Sequence, residues 1–326
     1  MLTKRQNVLE TIKGGSPDRF VNQYEFLGLI GGDPIQMAGP RLERGKEIIN
    51  GWGVTIRFPE NVPGSFPVHD EEHKVVKDVT RWQDVVKAPS LETTEAAWEG
   101  FKAMAASIDR NEQFVTLMGA PGIFEQLHYL MGMDDTLINF YEEPEAMHEL
   151  IDYITEHKIA YAKLLIDHAK PDALFHHDDW GSQISSFLSP DMFAEFIVPA
   201  YKKLYGFYRD NGIELIVHHS DSYAANLVPH MIDMGIDIWQ GVLSTNNLPD
   251  LINRYGSRIS VMGGIDNGKV DVHNWTPELI ADMVEKVCRE CGKLYFIPNT
   301  TMGGPESTYP GVYEAVSKEI DRMSRE

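Results

Sequence analysis

Short apolar or β-branched runs recur near residues 21–26, 53–58, 114–118, 173–176, 214–218, 237–240, 259–263 and 294–298. Between most of them the apolar residues repeat with the spacing of a helix face, most clearly over 145–168, 190–211, 277–291 and 310–323. This alternation constrains the fold more than any other feature. Strands joined through helices pair in parallel, because a parallel connection needs a crossover. Eight such units in 326 residues predict an α/β fold of the (β/α)8 TIM-barrel type. The competing doubly wound sheet needs a glycine-rich phosphate turn after its first strand, and "YEFLGLIGGDP" contains no G-x-G-x-x-G. No linker-like stretch divides the chain, so residues 1–326 are expected to form a single domain with an N-terminal helical extension.

Helix boundaries carry local signals. Thr276-Pro277-Glu278 combines an N-cap, a proline at the first helical position and an acid in the first turn, and Ser189-Pro190-Asp191 repeats the device. Gly212 and Gly292 stand where a C-terminal glycine stop belongs. A formal net charge of −20 repels nucleic acid and anionic membranes, so both are excluded as expected partners. The N-terminus lacks the apolar core of a signal peptide, and no apolar run reaches the roughly 18 residues of a membrane span. The two cysteines, Cys288 and Cys291, make no disulfide framework and share a helix face with Ile280, Val284 and Val287, which predicts core packing. The chain reads as cytoplasmic.

A barrel of this type places its chemistry at the C-terminal ends of its strands. Read to their ends, the eight runs give Glu25, Arg57, then Gly119 with Glu125 and His128, then "FHHDDWG", "HHSDS", Trp239-Gln240, "GGIDN" and "PNTT" with Asn299. Two clusters stand out: His177, Asp178, Asp179 and Trp180 after the fourth run, and His219 with Asp221 after the fifth. Neighbouring strands lie about 4.8 Å apart, so the two clusters can face one pocket. Asp side chains also cap turns with no chemistry, but two such tetrads on successive strands favour a site. His219 and Asp221 are candidate metal ligands, with His177, Asp178 or Glu25 as a third; a catalytic zinc needs about three protein ligands and an open position. Strand alternation points His218 away from His219.

The segments "TKRQNVLETIKGGSPDRF", "GAPGIFEQLHYLMGMDDTLINFYEEPEAM", "DDWGSQISSFLSPDMFAEFIVPAYKKL", "HHSDSYAANLVPHMIDMGIDIWQ", "VMGGID" and "TMGGPESTYPGVYEAV" resemble, in this order, the uroporphyrinogen decarboxylase superfamily. The resemblance spans almost the whole chain. It implies a (β/α)8 barrel with its site at the C-terminal mouth. It leaves the reaction open, because the superfamily holds tetrapyrrole decarboxylases and cobalamin-dependent methyltransferases.

Decarboxylases of the superfamily carry an arginine-rich R-Q-A-G-R motif after the first strand; here the region reads "NQYEFLGLIGGDP", without arginine. A polycarboxylate substrate needs such forks. The methyltransferase branch often carries a zinc-binding H-x-C and a later cysteine. His219 aligns with that histidine, Asp221 with the first cysteine, and Asn299 with the second. Both thiolates are absent, which moves the expectation away from thiol acceptors and leaves oxygen-ligated zinc open. "DDWG" with "H-S-D" looks most like the methyltransferase components of corrinoid O-demethylases.

The resemblance therefore implies methyl transfer from a methyl ether, often aromatic, to the cobalamin of a corrinoid protein. His219, Asp221, Asp178 and Asp179 are the candidate catalytic residues. Glu25, Arg57, His128, Trp180, Gln240 and Asn299 are the candidate substrate-binding residues. His219, Asp221 and His177 are the candidate metal ligands. Members are often dimeric, so a homodimer is expected. The alternatives are a decarboxylase of a tetrapyrrole or other acid, and a binding subunit that has lost the chemistry.

Overall fold

The computed structural model describes residues 1–61, 64–305 and 307–326. Seven parallel strands form one curled sheet: β1 (Leu27–Ile30), β5 (Phe114–Gly119), β6 (Ala173–His177), β7 (Leu215–His219), β8 (Ile238–Val242), β9 (Ser260–Ile265) and β10 (Phe296–Thr300), hydrogen-bonded in that order. This is the (β/α)8-type barrel that the alternation predicts. Six of the eight expected runs fall on strands β5 to β10.

The other two depart from expectation for separate reasons. Residues 53–58 contain β3 (Thr55–Arg57), which pairs with β2 (Glu47–Ile49) and β4 (Phe66–Pro67) in a separate antiparallel sheet. Residues 21–26 are not a strand: Gln23 has φ 50°, and the amides of Glu25 and Leu27 turn back to Asn22 and Tyr24. Side chains do the joining there. Asn22 donates to Ser317 O and Asp321, and Gln23 donates to Ser317 Oγ, 2.7 Å away. The segment thus fills the seam between β10 and β1, where no ladder forms among the described residues.

Alternation within the strands sorts the core into two bodies. Phe114, Ala173, Phe175, Leu215, Val217, Ile238, Met262 and Ile297 fill the barrel interior, together with Val8 of the helix Lys4–Ile12. That helix is fixed at the N-terminal end of the barrel by Arg5 N to Glu112 O and Tyr295 N to Thr11 O. The residues of opposite parity pack outward against the helices. Helix Pro144–Ala169 matches its expected span, and Pro277–Cys291 begins on the Thr276 cap as predicted, with Thr276 accepting from Leu279 N. The expected helix 190–211 divides at Ile197 into Pro190–Phe196 and Val198–Asp210; Pro199, without an N–H, stands in the first turn of the second. Cys288 is buried and Cys291 half-buried, as expected of core residues. No helix among the described residues is long and apolar enough to cross a membrane.

Candidate functional site

Register brings the two histidine clusters together. β6 and β7 pair with His177 opposite His219, and the rings stack with centroids 4.4 Å apart. Both share the inward parity of Phe175 and Val217. His176 and His218 face the other way. Tyr205 bridges their Nδ1 atoms at 2.9 and 2.7 Å, and Trp180 stacks on His218 at 3.8 Å. His219 is therefore the histidine of its pair that enters the barrel.

The hydrogen-bond network fixes the tautomer of His219. Gln240 Nε2 faces three oxygens that act as acceptors: Asn299 Oδ1 at 3.0 Å, Thr301 O at 3.4 Å and Thr300 O at 3.5 Å. Its Oε1 must then be the atom against His219 Nδ1, so Nδ1–H donates and Nε2 keeps its lone pair. His177 is tethered in the same way, by Nδ1 to Glu125 Oε2 at 3.0 Å, and Glu125 Oε2 also accepts from Gly122 N. Asp179 Oδ1 lies 3.8 Å from His219 Nε2 and accepts from Asp221 N at 3.0 Å. Ligand atoms of His177, Asp179 and His219 lie within 4.8 Å of one another. Two imidazoles, each held through Nδ1 by an oxygen acceptor, and one carboxylate form a donor set that fits a divalent metal. The carboxylate in this triad is Asp179, whereas the sequence spacing pointed to Asp221.

Asp178 is fully buried and serves the framework. Its two oxygens accept from Phe124 N, Glu125 N, Trp180 Nε1 and Tyr201 OH at 2.6–3.0 Å. Burial and the neighbouring Glu125 push its carboxyl up, to about 7. All four partners are donors, however, so the ionised form is the one the geometry fits. Gly122 makes this contact available, since a Cβ there would stand 2.1 Å from Asp178 Cγ.

Above the histidines lies a cavity of about 380 Å³, walled by Tyr24, Leu29, Met118, Phe175, Met302 and Tyr313 and reaching His177 and His219. No lysine or arginine lines it among the described residues.

The structure gathers His177, Asp179, His219, Asp221, Gln240 and Asn299 in one region. Other expected site residues lie elsewhere. Glu25 precedes β1, with its carboxyl on Asn22 N and its carbonyl on Gln113, at the end of the barrel away from the mouth. Arg57 is exposed in the antiparallel sheet and paired with Glu47. Both were placed by strand ends that the barrel does not contain. Trp180 is 2% exposed, packed behind the site rather than walling it. His128 packs against His69, Phe124 and Tyr129, and burial lowers its pKa to about 4. The sequence reading missed Tyr24 and the other cavity walls. Strand parity was the available signal for Phe175, two residues before His177, and for Met118, which shares the parity of the interior Phe114.

Charge in the site is unevenly held. Burial opposes a proton on His177, yet Glu125, Asp179 and Asp178 raise its pKa to about 9. Burial, with His177 alongside, lowers His219 to about 4. Burial raises Asp179 and Asp221 to about 6 each, with Asp179 adding to the rise of Asp221. A raised histidine pKa stabilises the fold fully below its unfolded value, near 6.5, and the gain is lost as pH rises through about 9. In metal-free protein, the urea midpoint is therefore expected to fall between pH 6.5 and 8, and Glu125→Gln to flatten that fall. Equal slopes in both proteins would remove the His177–Glu125 pair as its cause.

Comparison with known proteins places the chain. Residues 48–323 match the family model described as uroporphyrinogen decarboxylase. A methylated-thiol–coenzyme M methyltransferase of Methanosarcina mazei is 28% identical over 193 residues, 56% of this chain and 49% of that protein. A uroporphyrinogen decarboxylase of Synechococcus sp. is 26% identical over 191 residues, 56% of this chain and 51% of that protein. These alignments thus span about half the length of each curated relative. A solved structure of a methyltransferase from Methanosarcina mazei superposes with a TM-score of 0.68, covering 99% of both chains at 14% identity, which supports the fold. Since the family match spans most of the chain, the protein belongs to the uroporphyrinogen decarboxylase family.

Proposed function

We propose that this protein is a methyltransferase that moves a methyl group from a methyl ether with an aromatic body to the corrinoid of a partner protein. The observation that carries the reading is the cavity: apolar and aromatic walls, a floor of His177 and His219, and no lysine or arginine among the described lining residues. A tetrapyrrole decarboxylase must hold several substrate carboxylates, and a cavity without guanidinium or ammonium groups is poorly suited to that. The relatedness to a methyltransferase that acts on a methylated thiol supports methyl transfer as the reaction class.

An ether oxygen leaves only when its developing charge is stabilised. His177, Asp179 and His219 would hold a divalent metal such as zinc, which when bound supplies a Lewis acid for that oxygen. The chain's own residues prepare the site. Gln240 and Glu125 fix the two imidazoles, Asp221 N–H orients Asp179, and the aromatic and thioether walls offer the donor an apolar surface. Without a metal, the protonated His177 is the acid nearest the cavity floor.

Incubation with reduced corrinoid protein and a methoxyarene is expected to give the methylated corrinoid, read by its absorbance. Absence of transfer across a broad donor panel, with a corrinoid partner active toward another methyltransferase, would overturn the reading. About one metal ion per purified chain would select Lewis-acid activation; a metal-free active enzyme would select protonation.

A further inference from the structure

The cavity's charge environment narrows the donor. Three carboxyl groups stand against the histidines of its floor: Glu125 on His177, Asp179 beside His219, and Asp221, whose amide holds Asp179. Against them stand the His177 imidazole, which when protonated is already paired with Glu125, and one ammonium. Lys158 gives its Nζ to Pro121 O, one residue before the Gly122 that Asp178 abuts, so it lies behind the site rather than in the cavity. The imidazoles are committed through Nδ1 to Glu125 and Gln240. A divalent ion in the triad would take the place of the His177 proton and still leave no net positive charge. The walls offer aromatic rings and thioethers, namely Tyr24, Phe175, Tyr313, Met118 and Met302.

We infer that the donor is an uncharged methoxyarene, and that the site rejects ring carboxylates. The inference rests on the methyltransferase reading and adds to it the charge class of the donor. A ligand carboxylate would lose its water inside the barrel, meet no guanidinium or ammonium, and lie near carboxyl groups of the same sign. An unpaired buried charge is among the most expensive groups a pocket can accept. A neutral ring asks only for apolar contact, which the walls supply, and one polar contact at the histidines.

The test uses two probes that differ by one group: 2-methoxyphenol and 4-hydroxy-3-methoxybenzoate. Equilibrium binding to the full chain is measured by calorimetry at pH 8, where the acid is ionised, with transfer to a reduced corrinoid followed separately. The methoxyphenol is expected to bind at least 50-fold more tightly than the benzoate. Met118→Arg, which brings a guanidinium to the cavity wall, is expected to reduce that ratio at least tenfold. Equal or tighter binding of the benzoate, or no measurable binding of either probe, would overturn the inference. Efficient transfer from the benzoate would overturn it too, while leaving methyl transfer standing. Selective binding of the methoxyphenol with no transfer would instead uphold the charge class and count against the proposed reaction.

Discussion

Replacing His219 by alanine is expected to lower methyl transfer by roughly 10²–10³-fold, the range for losing a group that stabilises a developing oxyanion, while the barrel stays folded. The reasoning runs through a single atom. Gln240 holds the Nδ1 proton, so Nε2 points its lone pair toward Asp179 and the cavity. Alanine removes that atom and leaves Gln240 Oε1 without its donor, a cost of about 1–3 kcal/mol. Stopped-flow absorbance of a corrinoid partner gives the rate, and far-ultraviolet circular dichroism checks the fold. A folded variant within threefold of the wild-type rate would remove His219 from the chemistry. Metal content adds a second readout: Asp179→Ala should lose a bound ion more completely than Asp221→Ala, because only Asp179 belongs to the 4.8 Å group.

The largest effect on stability belongs to Asp178. Asp178→Ala leaves two backbone amides, the Trp180 indole N–H and the Tyr201 hydroxyl without an acceptor in the interior. Breaking a buried charged network of this kind costs about 3–5 kcal/mol. Asp178→Asn should recover only part of that loss, since an amide offers one acceptor oxygen where four donors converge. Urea unfolding at pH 7 measures both. A loss below about 1 kcal/mol for the alanine variant would mean that the four donors find other partners and that Asp178 is free for catalysis. The sequence reading grouped Asp178 with Asp179 as catalytic. The structure separates adjacent residues into a framework group and a group that faces the site.

That separation shows what the sequence could carry. Strand and helix alternation was legible because each strand hides one parity in the barrel and the other under helices, which leaves continuous apolar runs such as Leu215–Val217. The two polar tetrads were legible for the same reason: each interrupts such a run. The seam was not legible. Val21 and Phe26 flank Asn22, Gln23 and Tyr24, and the apolar ends resemble a strand although side chains hold the segment. That one misplacement put Glu25 in the site and hid Tyr24. Arg57 failed similarly, since three residues of β3 look alike in a barrel or a hairpin. The choice of Asp179 over Asp221 is tertiary. It depends on where the loop after β6 turns, a matter of Trp180 N reaching Ser220 Oγ across 40 residues of sequence.

Among the described residues the barrel wall is stitched by backbone across six junctions, and at the gap between β10 and β1 side chains of Asn22 and Gln23 tie the intervening segment to a helix. His177 and His219 hang from the middle of the stitched part, on adjacent strands in register. Tyr24 belongs to the seam segment, and Tyr313 to the helix Val312–Met323 that the segment is buttoned to. A seam secured by a few side-chain hydrogen bonds yields before a ladder does. The polar floor of the cavity is thus a fixed jaw and its tyrosine wall a yielding one. Ligands of different girth are therefore expected to displace the tyrosine wall, which does no chemistry, and to leave the spacing of His177 and His219 unchanged.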